Sequence, residues 1–418
     1  MRILYVVPFV PWPVRVRSYN LIPRLGRRHQ IDLVCLARNP AEQQRAEAMW
    51  TYCESVRTGS YDLPGALLRG LTSLPTPRPL RIAWVASSSM ARQVEDAIRA
   101  DRPDVIYVER WRALQYVPLD VGIPVVCDPT DSMTLYNQRL MKEGKLWERP
   151  LGWMEYHKFR HYEARTAVSL AATVYCSSLD IAALGPMPKR VRIAKIVNGV
   201  NVETFRAKVP GQEEPNTIFF SGNFAYGPNR KAASFFLEKI FPCVQKEIPE
   251  ARFLIVGNGA SAFMNAAHSA ARSVEVHNFV PDLQPYLASA TVAVAPMRLG
   301  AGVSNKIMEA FSVGTSVVAT PIACGDLPVR DGEHLLIADD ADKFAAAVVR
   351  LLRDDGLRRR LVRRAQALVR HCYDWEVVSA DMERLLAEVA GLRLDDLLVS
   401  ASPFRSAALI SNRSSLHL

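Results

Sequence analysis

Lys306 and Glu309 stand three residues apart in the run P-M-R-L-G-A-G-V-S-N-K-I-M-E-A-F-S-V-G-T-S-V-V-A-T, residues 296–320. That spacing places an ammonium and a carboxylate one turn apart on the same face of a helix. Just before them, Gly300 and Gly302 form a Gly-x-Gly turn after an apolar strand that ends at Ala295. Glycine at both positions lets the backbone approach a ligand closely. The helix expected to open near Val303 adds unpaired N–H groups and positive potential. This chemistry suits a phosphate, with Lys306 answering its charge and Glu309 accepting hydrogen bonds from the two hydroxyls of a ribose. On these residues alone, a βα turn with a solvated Lys–Glu pair explains the run at least as well.

A second group lies in the first half. V-R-V-R-S-Y-N-L-I (14–22) follows the first apolar run and begins a helix. Arg15 and Arg17, with Asn20 in the first turn, suit a phosphate or carboxylate on a substrate; a solvated basic turn accounts for them equally. C-D-P-T-D-S (127–132) ends another strand, where Asp131 is either a site carboxylate or the N-cap of the next helix. Glu109 closes D-V-I-Y-V as a site candidate or an exposed strand-end residue. Two motifs point elsewhere. G-N-G-A-S-A (257–262), with Glu275 further on, fits a dinucleotide fingerprint but sits in mid-domain rather than at a first βα turn. D-A-D (340–342) resembles a metal motif but opens a helix, where capping by Asp339 or Asp340 explains it better.

These residues need elements to hold them. Strand candidates in the first half are 3–7, 31–36, 104–108, 124–127, 173–176 and a run ending at Val197. Helical patterns at 18–28, 41–52, 87–100 and 148–168 separate them. After a polar stretch at 206–216, read as a linker, a second series begins with strands at 217–221, 252–256, 273–276, 291–295, 315–319 and 335–338. Its helices are expected at 232–247, 261–272, 303–313 and 341–352. Such alternation implies parallel sheets wrapped by helices, α/β in class, as two Rossmann-like domains facing across a cleft. The expected divisions are 1–200, 201–375, a helix at 376–390 crossing back to the first domain, and a loosely ordered tail at 391–418.

The 418 residues carry 52 Lys+Arg and 42 Asp+Glu, and 49% are hydrophobic, so disorder, fibre and disulfide miniprotein are excluded for the whole. The excess charge lies entirely in residues 1–200, with 28 basic against 18 acidic residues; the remainder is balanced at 24 each. An anionic substrate, or a phospholipid surface carrying one, fits that half. Nucleic acid does not, because no basic stripe with interleaved aromatics appears. The seven cysteines form no C-x-x-C pair, which favours a reducing cytoplasm over a zinc or disulfide framework. The N-terminal apolar run is short and interrupted by Pro8, Pro11 and Pro13, so it reads as a buried strand rather than a signal peptide.

With its surroundings, the 296–320 run resembles the nucleotide-sugar site of family 4 retaining glycosyltransferases, which have the GT-B fold. I-V-N-G-V-N-V-E-T-F (196–205) is similar to that family's interdomain hinge, with Asn201 where Asp is usual. S-G-N-F-A-Y-G-P-N-R-K-A (221–232), F-L-I-V-G-N-G (253–259), H-N-F-V-P-D-L (277–283) and Y-D-W (373–375) match other landmarks in order. The resemblance implies a metal-independent, retaining transfer from a nucleoside-diphosphate sugar, a UDP-sugar foremost, as co-substrate and with no cofactor. It assigns donor binding to Gly222, Asn229, Arg230, Arg298, Gly300, Ala301, Gly302, Val303, Lys306 and Glu309, and catalysis to Lys306 and Asp131. It places Arg15, Arg17, Asn20 and Glu109 on the acceptor side. Many relatives carry a first Glu where Ala301 stands, and Arg and Lys where Asn223 and Pro228 stand; Arg298 is in place to supply the missing charge. Thr130 replaces a His beside Asp131, and the arginines replace a Gly-Gly loop. With no nucleophile at Ala301, same-face substitution fits better than a covalent intermediate. The implied partners are the nucleotide sugar and a small-molecule, glycan or lipid-linked acceptor, with peripheral contact at the inner face of an anionic membrane. A non-catalytic sugar-nucleotide sensor and an epimerase acting on UDP-amino sugars are the alternatives on the same fold.

Overall fold

The computed structural model describes residues 1–209, 211–263, 273–298 and 304–392. Runs such as ILYVV and TIFFS have no polar alternation, which suits strands covered by helices on both faces. They form two wholly parallel sheets in two compact units: Met1–Ile196 joined by the chain from Ser379, and Val197–Val378. The first sheet contains β1 (Arg2–Val7), β2 (Gln30–Ala37), β3 (Ser55–Ser60), β4 (Val105–Glu109), β5 (Val125–Thr130), β6 (Ala172–Tyr175) and β7 (Ile193–Lys195), in the order β3-β2-β1-β4-β5-β6-β7. The second contains β8 (Thr217–Ser221), β9 (Arg252–Val256), β10 (Val274–His277), β11 (Val292–Ala295), β12 (Ser316–Ala319) and β13 (Leu336–Ile337), in the order β10-β9-β8-β11-β12-β13.

Both orders reverse direction once, between β1 and β4 and between β8 and β11. In open parallel sheets, the crevice outside the carboxyl ends at such a reversal is where ligands bind. The register fixes these edges: Val6 lies beside Val108, and Ala293 beside Phe219. Phe236 anchors the core of the second unit, with its ring centroid 4.5 Å from that of Phe253 and 6.2 Å from that of Phe344.

Several elements depart from the sequence reading. The stretch 206–216 is not a free linker. Lys208 donates its backbone N–H to Val313 and its ammonium to the Ala290 carbonyl, and Glu214 N–H bonds to Ser289, so this stretch packs onto the second unit. Strand β3 and the helices Leu63–Ser73, Met133–Glu143 and Asp355–Cys372 were not anticipated. Most of the helix expected at 261–272 lies outside the described residues, as does the tail beyond 392. The helix Trp375–Val389 runs from the second unit into the first. There Glu383 takes hydrogen bonds from Arg28 and His29 (the latter at 2.7 Å), and Glu388 pairs with Arg192.

Candidate functional site

In the second unit the reversal point is built from β8 outward. Beyond Ser221 the chain turns at Gly222, whose N–H donates to Val256, and Phe224 N–H donates to Asn258. The two loops approach so closely that a Cβ on Gly257, at φ +142°, would lie 2.0 Å from the Gly222 carbonyl oxygen. This explains the Gly-x-Gly at 257–259 as a backbone crossing beside β9. The first βα turn of the unit is at Gly222 instead, so the dinucleotide reading loses its position. Asn229, near the start of the helix Gly227–Phe235, donates Nδ2 to the Asn223 carbonyl (2.9 Å) and accepts Lys306 Nζ at Oδ1 (3.3 Å). Arg230 turns back to the Phe224 and Ala225 carbonyls, 2.6 and 3.3 Å away; it braces the loop.

Lys306 and Glu309 lie on the helix Asn305–Val313, which ends on Gly314 in the left-handed region at φ +85°. The ammonium sits 5.5 Å over the Phe220 ring, and Arg298 lies 5.0 Å over Phe235. Burial pushes Lys306 down to about 8, against the pull of Glu309. Burial pushes Glu309 up to about 7, against the pull of Lys306. Each group therefore holds its charge weakly, and a diphosphate beside Lys306 would restore the ammonium to its ordinary range. Sequence reasoning missed Ser304 and Asn305. Ser304 is the N-cap residue, yet Ser304 Oγ and Asn305 Oδ1 are buried without a hydrogen-bond partner among the described residues. A Ser preceding an apolar helical stripe was the available signal. Gly300, Ala301, Gly302 and Val303 lie outside the described residues.

The first unit carries a separate polar network at its own reversal point. Tyr5 donates to Glu109 Oε2 at 3.0 Å, Tyr107 donates to Asp128 Oδ2 at 2.5 Å, and the two rings lie 4.6 Å apart. Glu109 is not exposed: it is 1% accessible, and burial pushes it up to about 7, with Arg110 the largest opposing influence. Arg17 does not act beside Arg15 as a basic surface pair. It is buried and ion-paired with Asp128, and donates to the Ile196 carbonyl at 3.0 Å, which commits it to holding the unit together. Asn20 is likewise turned inward, donating to the Val16 carbonyl and accepting from Arg24. Asp131 pairs with Arg110 at 3.2 Å; Ser132, not Asp131, caps the following helix. Thr130, the last residue of β5, and Arg110, directly after the adjacent β4, both adopt positive φ, +69° and +75°. Non-glycine residues hold that conformation at a cost, and such residues cluster at functional sites.

Asp340 caps the helix Ala341–Arg353 through Lys343 N–H at 2.8 Å, which accounts for the D-A-D motif. Among the described residues no group of three His, Cys, Asp or Glu side chains is placed to hold a metal.

Two parallel sheets, each with a ligand-type reversal point, are the architecture of the GT-B glycosyltransferases. The description "Glycosyl transferases group 1" fits residues 215–354, and "Glycosyl transferase 4-like domain" fits residues 14–192. The chain belongs to this family of group 1, family 4 glycosyltransferases. A phosphatidyl-myo-inositol mannosyltransferase of Mycobacterium tuberculosis is 34% identical over 209 residues, 47% of this chain and 54% of that protein. A lipopolysaccharide core biosynthesis glycosyltransferase, LpsE of Rhizobium meliloti, is 32% identical over 25% of this chain and 32% of its own. The chain spans about half the length of the mannosyltransferases it matches. Among solved structures, Anabaena HepE in complex with UDP-glucose aligns with a TM-score of 0.64 at 13% identity, covering 93% of this chain and 100% of that one. Sucrose-phosphate synthase from Thermosynechococcus elongatus aligns at 0.67 and 16% identity, covering 93% and 99%.

Proposed function

We propose that the protein is a retaining glycosyltransferase that moves a sugar from a nucleoside-diphosphate sugar, a UDP-sugar foremost, onto an anionic or lipid-linked acceptor. The observation that carries this is the half-buried Lys306–Glu309 pair one helical turn apart at the β8/β11 reversal, with Asn229 orienting the ammonium. Glu309 takes the ribose hydroxyls, and Lys306 takes the diphosphate. Departure of the nucleotide builds charge on the β-phosphate, where a pre-positioned ammonium is worth most in a partly dry site. With Ala301 in place of a carboxylate, the departing phosphate itself receives the acceptor proton on the face it leaves. No metal is required in this scheme, because Lys306 and the helix start at Asn305 supply the positive field. HepE in complex with UDP-glucose supports the donor class. The phosphatidyl-inositol acceptor in the name of the mycobacterial relative supports a phospholipid-borne one.

A peripheral membrane position at the cytoplasmic face, in glycoconjugate biosynthesis, accompanies this reading. Leu63, Leu67, Leu68 and Leu71 stand exposed on the helix Leu63–Ser73. Leu146, Trp147 and Trp153 are exposed near Lys142, Lys145 and Arg149 in the chain. Lys158 ties the two surfaces by donating to the Ser73 and Leu74 carbonyls at 2.8 and 3.0 Å. Apolar and aromatic side chains with basic neighbours suit an anionic lipid interface. No helix among the described residues is long and apolar enough to cross a membrane.

Incubation with a panel of nucleotide sugars, with and without phosphate-bearing lipid and glycan acceptors, tests the reading through release of nucleotide. Acceptor-dependent release supports transfer. Binding of UDP with no release identifies a sensor, and conversion of a UDP-amino sugar without acceptor identifies an epimerase.

A further inference from the structure

The carboxyl edge of the first sheet gathers more arginine than its carboxylates neutralise. The order β2-β1-β4-β5 brings together the residues that follow those strands: Arg38 after β2, Arg15 after β1, Arg110 and Arg112 after β4, and Asp131 after β5. The register agrees, with Val7 beside Cys35 and Glu109 beside Asp128 at that edge. Among the described residues, only Arg110 of these has a carboxylate, Asp131 at 3.2 Å, and its guanidinium also reaches the Pro129 carbonyl at 3.2 Å. Among the described residues, the side chains of Arg15, Arg38 and Arg112 have no hydrogen bond or ion pair. Arg15 lies against the Phe9 ring, 4.5 Å from its centroid.

The nearby carboxylates are occupied elsewhere. Glu42 accepts the backbone N–H of Arg38 at 2.8 Å, and Glu109 is turned inward to Tyr5. Burial, then repulsion from Arg110, Arg15, Arg38 and Arg81, pushes the Arg112 guanidinium down to about 10. Arg15 is lowered by burial and by Arg110 and Arg38, against the pull of Glu109 and Glu42. Guanidinium groups keep their protons at neutral pH even so. Partly desolvated cations held together cost free energy until an anion joins them. The positive φ at Arg110, whose N–H donates to the Asp128 carbonyl at 2.8 Å, marks the same spot as built against conformational preference.

We propose that Arg15, Arg38 and Arg112, with Arg110 fixed beside them by Asp131, bind the phosphoryl group of the acceptor substrate. The proposal rests on the acceptor half of the reading above and is independent of the donor site. Planar guanidinium forks match tetrahedral phosphate oxygens in bidentate fashion, whereas Arg17, committed to Asp128, takes no part.

The test is isothermal titration calorimetry on the full chain saturated with UDP, using inorganic phosphate and, separately, dodecyl phosphate below its micellar concentration. Both should bind, and Arg38→Gln and Arg112→Gln should each weaken binding about tenfold, the loss expected for a hydrogen bond to a charged group. Arg38 is exposed, so its variant keeps the test decisive if Arg112→Gln folds poorly. Tighter binding of dodecyl phosphate identifies a lipid-borne group and equal binding a free phosphoryl group; either supports the site. No phosphate binding by the UDP-saturated protein, or unchanged affinity in both variants, overturns it. Repeating the titration without UDP separates the claims, since failure of UDP to bind counts against the donor reading alone.

Discussion

Replacing Asp128 with alanine should destabilise the first unit far more than an ordinary substitution would. Asp128 is fully buried and receives Arg17, the Tyr107 hydroxyl at 2.5 Å and the Thr130 N–H at 2.9 Å. Truncating it leaves a buried guanidinium without a counter-charge, a loss of about 3–5 kcal/mol. The orphaned Tyr107 hydroxyl and Thr130 amide add about 1 kcal/mol or more. For a unit of this size, each kcal/mol moves the melting temperature by about 2–4 °C, so a total of at least about 4 kcal/mol lowers Tm by about 8 °C or more. Intrinsic fluorescence reads this unit well, because six of the seven tryptophans lie within Met1–Ile196. The paired replacement Arg17→Met with Asp128→Leu removes both charges together and should recover more than half of the loss. An Asp128→Ala melt within about 2 °C of wild type, or a double variant no better than the single, would show that the buried Arg17–Asp128 pair does not carry this stability.

Two further outcomes follow from the same geometry. Burial pushes the Glu109 carboxyl up to about 7 in the folded state, from an ordinary value of 4.5. The native state therefore holds the extra proton between those values, and this group's contribution to stability falls as pH rises through that window and is level above it. Glu109→Gln keeps an acceptor for Tyr5 and removes that loss, so its Tm should gain on wild type from pH 5 to pH 8; a Tm difference, variant minus wild type, that stays constant or falls with rising pH contradicts this. Gly222→Ala should weaken UDP binding more than stability: its Cβ would lie 2.9 Å from the Asn229 amide, which orients Lys306, and calorimetry with UDP beside a thermal melt reads both effects.

The alternation of apolar runs and amphipathic stretches made the two parallel sheets legible, because strands covered on both faces must be continuously apolar. Strand β3 (SVRTGS) escaped because it pairs only with β2 at the sheet edge, and its residues are mostly polar or small. The helix Leu63–Ser73 escaped because its leucines face outward, the reverse of the usual pattern. The helix Asp355–Cys372 was masked by six arginines, although its buried positions 357, 361, 365 and 369 keep a four-residue spacing. In the site, Lys306 and Glu309 were legible because their relation is local to one helix. Arg17 was misread because its partner, Asp128, lies 111 residues away, and the pairing exists only once β1 and β5 share a sheet. Arg38, Arg110 and Arg112 were missed for the same reason, since only the strand order brings them beside Arg15.

In the proposed function, Lys306 holds the donor diphosphate and the charge of the departing nucleotide. The most direct measurement of that role is acceptor-dependent nucleotide release by wild type and by Lys306→Ala, compared at matched protein concentration with melting curves recorded on both. Lys306 is half-buried, and its one hydrogen bond among the described residues is to Asn229, so the variant should fold. Transfer should be abolished while the melting temperature stays close to wild type. Transfer at a near wild-type rate by a folded Lys306→Ala protein would contradict that role.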